Sequence, residues 1–226
     1  MRPEDAKRLA ARAAISYLPE RGVIGLGSGS TAKLFIEEVG RLVALGRQLQ
    51  GVPTSEESRA LAQNLAIPLL SDVGPWSIDV CVDGADEVSA NLDLIKGGGG
   101  CHAREKIVNQ YSKTNIIVVD ASKLSTRLGE KWAVPVEVLA FGREATAQAL
   151  AAIGTTSLRT RNNEPWITDA GNYIFDLRVG PIPDPAALDG RLRAIPGVVE
   201  TGLFLNRTSL VIVAGDDGIQ ELRPGA

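Results

Sequence analysis

Gly22-Val23-Ile24-Gly25-Leu26-Gly27-Ser28-Gly29-Ser30-Thr31 reads as a short apolar strand running into a glycine loop. Beyond it, Phe35, Val39 and Leu42 fall at i, i+4 and i+7, the spacing of an apolar helix face. Upstream, Leu9, Ala10, Ala13, Ala14, Tyr17 and Leu18 also stand at helical spacing, with Pro3 and acidic residues at the start of the pattern. Downstream the unit recurs: Gly51-Val52-Pro53-Thr54 leads into Ser55-Glu56-Glu57, where Thr54 and Glu57 fit a capping box ahead of Leu61 and Leu65.

A third strand, Ile78 to Val82, is apolar on both faces, as a buried parallel strand requires. Leu92 to Ile95 and Ile116 to Val119 supply two more. Strands alternating with helical patterns predict an α/β fold with a doubly wound, mostly parallel Rossmann-like sheet. After Lys131 the texture changes: Ala145 to Ile153 and Pro185 to Ile195 read as helices, and Ser157 to Arg161 and Tyr173 to Val179 as strands. Thr168-Asp169-Ala170-Gly171-Asn172 is a turn between extended segments. The last apolar strand, Ser209 to Val213, returns to the main sheet, so the expected organisation is an α/β domain of residues 1–129 and 204–226. Residues 130–203 form an inserted smaller α+β domain whose exposed face is a candidate oligomer contact.

Composition bounds the function. A chain of 226 residues buries a sizeable core, and 44% hydrophobic with 23% charged residues is ordinary for a globular protein. The net charge of −3, with basic residues spread among acidic ones, gives no footprint for nucleic acid. No apolar run is long enough to span a bilayer, and Met1-Arg2-Pro3-Glu4-Asp5 opens no signal peptide, so no membrane association and a cytoplasmic location are expected. Cys81 and Cys101 form neither a disulfide framework nor a zinc pattern, and with one histidine the chain offers no metal ligand set.

The chemistry-bearing residues gather in short stretches. In the first loop, Ser28, Gly29, Ser30 and Thr31 place hydroxyls and backbone N–H groups at a helix N-terminus, where the dipole favours an anion such as phosphate. The glycine spacing fits neither a dinucleotide fingerprint nor a Walker loop, and a tight turn with no ligand is the bland reading. Val82-Asp83-Gly84-Ala85-Asp86-Glu87 crowds three acids at the carboxyl end of a buried strand, where open α/β sheets bind ligands. Helix capping is the competing use for either aspartate alone. Lys96 is followed by Gly97, Gly98, Gly99 and Gly100, a run costly to order unless the backbone must approach something closely. Glu105 lies just beyond, at a helix start, where a solvated surface position is the commoner fate. Cys101 and His102 are neighbours in sequence, whose side chains diverge and make a poor dyad.

Taken in order, these pieces closely resemble the type A ribose-5-phosphate isomerases. The matching segments are Gly25 to Ala32, Val52-Pro53-Thr54-Ser55, Val82 to Glu87, Lys96 to Gly99 with Arg104-Glu105-Lys106, and Asp120-Ala121-Ser122-Lys123. Pro135 to Val138, Thr168 to Asn172 and Ile195 to Phe204 match as well, so the resemblance spans nearly the whole chain. It implies interconversion of D-ribose 5-phosphate and D-ribulose 5-phosphate through an ene-diol, without metal or other cofactor. It implies Glu105 as the proton acceptor and Asp83, Gly84, Ala85, Asp86, Lys96, Gly97, Gly98, Gly99 and Lys123 as substrate-binding positions, with Ser28 to Thr31 as the first binding loop. The chemistry adds Lys96 or glycine-loop N–H groups as stabilisers of charge on the carbonyl oxygen, and Asp83 or Asp86 as the shuttle of hydroxyl protons. Ser28 stands where the family often has threonine, which keeps the hydroxyl; Gly100 to Ala103 is more idiosyncratic. A homodimer or homotetramer is the family expectation. A phosphosugar-sensing regulatory module, a coenzyme A transferase and an amino-sugar-phosphate deaminase share the architecture. The first would ordinarily carry a DNA-binding segment, the second a nucleophilic glutamate in another motif and the third a matched histidine.

Overall fold

The computed structural model describes residues 1–225. In chain order it forms α1 (Pro3–Ala14), β1 (Arg21–Leu26), α2 (Ser30–Ala44), β2 (Gln48–Pro53), α3 (Glu56–Asn64), β3 (Ile78–Asp83), β4 (Glu87–Val88), β5 (Leu94–Ile95), α4 (His102–Gln110) and β6 (Ser112–Asp120). There follow β7 (Val134–Val138), α5 (Arg143–Ala151), β8 (Thr155–Leu158), β9 (Thr160–Arg161), β10 (Glu164–Pro165), β11 (Tyr173–Arg178), α6 (Pro185–Arg193), β12 (Val198–Thr201), β13 (Leu203–Phe204), β14 (Leu210–Gly215) and β15 (Gly218–Leu222). The chain divides into two compact units. The first comprises Met1–Ala85, Arg104–Lys123 and the segment from Arg207 onward; the second, Asp86–Ala103 and Leu124–Asn206.

The first unit is built on a six-stranded sheet in the order β15-β14-β6-β3-β1-β2. All neighbours are parallel except the terminal β14–β15 pair. Alternation along the strands sorts the side chains between two faces. Ile24, Leu26, Val80, Val82, Ile116, Val118 and Ile212 join Phe35, Ile36 and Val39 of α2 and the alanine face of α1 in one core. Full burial of a side chain such as Phe35 contributes on the order of 3 kcal/mol. On the opposite face Val52 and Cys81 pack with Val108 of α4. Gly25 is what lets α4 come close, because a Cβ there would stand 2.8 Å from Cys81 and from Val108.

In the second unit the antiparallel sheet β12-β7-β11-β8 packs Val136, Val138, Phe175 and Leu177 against Leu150 of α5 and Leu188 and Leu192 of α6. The last two are an i, i+4 pair on one helix face. A three-stranded sheet, β13-β5-β4, and the β9–β10 hairpin complete it.

Three expectations need correction. Leu92 to Ile95 is not a strand of the parallel sheet: Leu92 lies in the left-handed region at φ 62° and donates its N–H back to Ser89 O, closing a turn. Only Leu94–Ile95 remains extended, paired antiparallel on both sides. For that reason the division of the chain is not 1–129 with 204–226 against 130–203. Residues 86–103 belong to the second unit through β4 and β5, and its other boundaries fall at Leu124 and Asn206. Finally, α3 is capped by Ser55, whose hydroxyl accepts from Ser58 N at 3.0 Å, while the Thr54 hydroxyl turns to Leu26 O at 3.0 Å.

Candidate active site

Strand order reverses between β1, whose next strand lies on one side, and β3 on the other, and such a switch point opens a crevice at the carboxyl ends of the strands. The first loop leaves β1 there. Gly27 N extends the ladder to Val82 O at 3.0 Å, Gly29 takes φ 87°, and Ser30 opens α2. Asp83, at the end of β3, is buried and accepts from Ser28 N at 3.0 Å and from Gly84 N at 2.8 Å. The glycine at position 27 is obligatory because a Cβ would collide with the Asp83 carboxylate and backbone.

Beneath the loop lies a hydroxyl cluster. Ser28 Oγ is 2.7 Å from Thr54 Oγ1 and donates to Ser55 Oγ at 2.8 Å, while Ser58 Oγ donates to Gly27 O at 2.6 Å. Thr54, Ser55 and Ser58 are all buried. Ser28 therefore points into a network that shapes the loop, whereas Gly29 and Ser30 are exposed and Thr31 half-buried at the N-terminus of α2. Thr54 and Ser55 were legible as a family segment; Ser58, one turn along α3, carried no signal of its own.

Ala85 ends the first-unit segment that carries Asp83 and Gly84. Glu105 sits in the first turn of α4 and is buried, at 6% exposure, so it is not the solvated glutamate that its residue type ordinarily predicts. Lys123 is half-buried in a 3-10 turn after β6. Arg104, beside Glu105, donates to Glu56 Oε1 at 2.7 Å and holds the Glu56 carboxyl below the usual carboxylate range.

In the second unit, Lys96 is buried with its ammonium 5.5 Å from the centre of the Phe204 ring. Gly97 has φ 104°, and a Cβ there would lie 2.6 Å from the His102 ring. Asp86 accepts from Gly98 N at 2.6 Å, so Asp83 and Asp86, three residues apart in sequence, serve different glycine loops. Gly99 is exposed. Glu87 does not join them: fully buried, it accepts backbone N–H groups of Gly129, Lys131 and Trp132 at 3.0, 3.0 and 3.2 Å and anchors that segment. The His102 ring faces Glu200 O at 3.4 Å, and Cys101 Sγ faces Gly99 O at 3.5 Å. Among the described residues no three His, Cys, Asp or Glu are grouped to hold a metal ion, and no helix is long and apolar enough to cross a membrane.

A model of the family described as ribose 5-phosphate isomerase A (phosphoriboisomerase A) matches residues 50–218. The ribose-5-phosphate isomerase A of Gluconobacter oxydans is 45% identical over 222 residues, covering 96% of both chains. Among solved structures, a D-ribose-5-phosphate isomerase in complex with phospho-erythronic acid superposes with a TM-score of 0.94 at 38% identity, over 99% of this chain and 100% of that one. The ribose 5-phosphate isomerase A of Methanocaldococcus jannaschii gives 0.92 at 40% identity, over 97% and 99%. The likeness runs over nearly the full length of these chains, and the chain belongs to the ribose-5-phosphate isomerase A family.

Proposed function

We propose that this chain interconverts D-ribose 5-phosphate and D-ribulose 5-phosphate by proton transfer through an ene-diol. The observation that carries the reading is the likeness, over nearly the full length of both chains, to proteins named for that isomerisation. Glu105 removes the proton from the second carbon of the open-chain aldose and returns it to the first. Its burial supports the role, because a carboxylate withdrawn from water makes a better base. Charge that develops on the carbonyl oxygen meets the Lys96 ammonium and the N–H groups of Gly97 and Gly99, while the Gly98 N–H holds Asp86. Asp83 and Asp86 orient the sugar hydroxyls and pass their protons, and Gly84 and Ala85 lend backbone.

Ser28 to Thr31, with Lys123, hold the 5-phosphate. A helix N-terminus with exposed hydroxyls suits a dianion, and the complex of a relative with phospho-erythronic acid, a phosphorylated sugar acid, supports a phosphosugar as ligand. Binding energy from this remote group orients the reacting carbons. Incubation with ribose 5-phosphate in the presence of a chelator should yield ketose at the full rate, and free ribose should be a very poor substrate. A requirement for a divalent ion, or equal efficiency with ribose, would overturn the reading.

We also propose that the protein works in the cytoplasm as a homodimer or homotetramer. The apolar face around Phe141, 93% exposed, and Leu139 on the second unit supports self-association. Sedimentation of the protein and of Phe141→Ser tests it: wild type should sediment as an oligomer and the variant as a smaller species.

A further inference from the structure

The Gly97–Gly98 turn is held from behind by a guanidinium that no motif announced. Arg159 follows β8, its backbone pinned by an N–H bond to Ile174 O at 2.8 Å and by Trp166 N donating to its carbonyl at 2.9 Å. Its side chain, 12% exposed, grips Asp176 of β11 in a two-pronged pair, with Nε at 3.0 Å from Oδ2 and a terminal nitrogen on Oδ1. The other terminal nitrogen donates to Gly97 O and, at 3.3 Å, to Gly98 O. The peptide whose carbonyl meets Arg159 is the one whose N–H, on Gly98, holds Asp86 Oδ2 at 2.6 Å.

We propose that Arg159 is a positioning residue for catalysis, which, braced by Asp176, fixes the Gly97–Gly98 peptides so that Asp86 and the loop N–H groups are held ready for substrate. The proposal rests on the reading of Asp86 and Lys96 to Gly99 as substrate-binding positions. The chemistry favours arginine: only its planar fork satisfies a carboxylate with one edge while donating to two carbonyls with the other. A cation on the carbonyl end of a peptide also polarises its N–H end, strengthening the bond to Asp86. Glycines at 97 and 98 make the backbone soft, so an external brace is needed to keep it in one conformation.

The test is a set of folded variants assayed for kcat and KM with ribose 5-phosphate, each with its thermal midpoint. Arg159→Met should lower kcat by about 10- to 100-fold with KM changed less than about threefold, the loss expected when reacting groups are misplaced by a fraction of an ångström. Arg159→Lys should recover part of it. Arg159→Met leaves Asp176 without its partner and lowers stability, so the deciding protein is the double variant Arg159→Met with Asp176→Leu, which removes the stranded charge. It should regain thermal stability and keep the low kcat. Return of kcat along with stability would show a merely structural role and overturn the proposal. Gly98→Ala separates this from the reading beneath it, because its Cβ would stand 2.5 Å from Asp86 Oδ1. If Gly98→Ala is impaired while Arg159→Met keeps normal kcat, the Arg159 proposal alone falls. If Gly98→Ala has normal kcat and KM, the loop is not part of the site and the proposal falls with it.

Discussion

Two glycine loops precede two helices in this molecule, and they are built on different chemistry. The loop after β1 has one carboxylate, Asp83, on the Ser28 N–H, but the Ser28 side chain rests on neutral hydroxyls, with Ser28, Thr54, Ser55 and Ser58 linked by hydrogen bonds and Ser58 bonded to Gly27 O. The loop after Lys96 is clamped by charge, with Arg159 on its carbonyls and Asp86 on its N–H. Hydroxyls can each donate and accept, so a cluster of them adjusts locally and adds no net charge beside a phosphate. A guanidinium and a carboxylate set one direction for a soft backbone, which suits a place where charge develops during reaction. The glycines differ accordingly: Gly27 is required by the approach of Asp83, Gly97 by both its backbone conformation and the His102 ring.

The sharpest way to break this contrast is Gly97→Ala. A side chain at φ 104° is strained and its Cβ meets the His102 ring, so the variant should lose roughly 2–4 kcal/mol in denaturant unfolding. A loss below 1 kcal/mol would mean that the clamped loop is as adaptable as the hydroxyl one. Ser28→Ala should cost only about 1 kcal/mol, since Ser55 still donates to Ser58 and Thr54 to Leu26 O, and should raise KM more than it lowers kcat. A collapse of stability there would show that the hydroxyl cluster is as rigid as the ionic clamp.

How much of this was legible depended on the distance between partners along the chain. The strand, loop and helix around Gly25 to Leu42 were readable because the pattern is local, and Phe35 and Val39 are indeed fully buried. Leu92 to Ile95 misled because a short, mostly apolar run does not reveal its partner, and Leu92 falls in the turn that joins β4 to β5. Asp83 and Asp86 were legible as acids at a strand end, yet the chain between them changes unit and each finds its own loop. Arg159 was invisible: it reaches Gly97 and Gly98 across 62 and 61 positions and stands among Thr160 and Arg161 without any spacing that marks it. Glu105 was placed by resemblance, and its burial could not have been read from a charged helix start.

The smallest effect lies away from both loops. Asp79 is held below the usual carboxylate range by the Lys113 ammonium at 2.7 Å and then by Val23 N at 3.0 Å. A depressed native pKa stabilises the fold above the unfolded value, about 4 for aspartate, and that contribution is lost as pH falls through the native value. Because Asp79 is one-third exposed and Lys113 mostly so, the pair is screened, and Asp79→Asn should cost under about 1 kcal/mol at pH 7. The gap to wild type should close as pH drops below about 4. A gap that widened in acid would reverse the sign of the argument.

The most direct test of the whole account is turnover of Glu105→Gln in deuterated water. The substitution keeps the shape of the side chain and removes the base, so turnover should fall by roughly 10²–10⁴ with affinity little changed, and deuterium entry into the sugar should fall in step. Near-normal turnover with undiminished label uptake would contradict the account and move the base to Asp83 or Asp86.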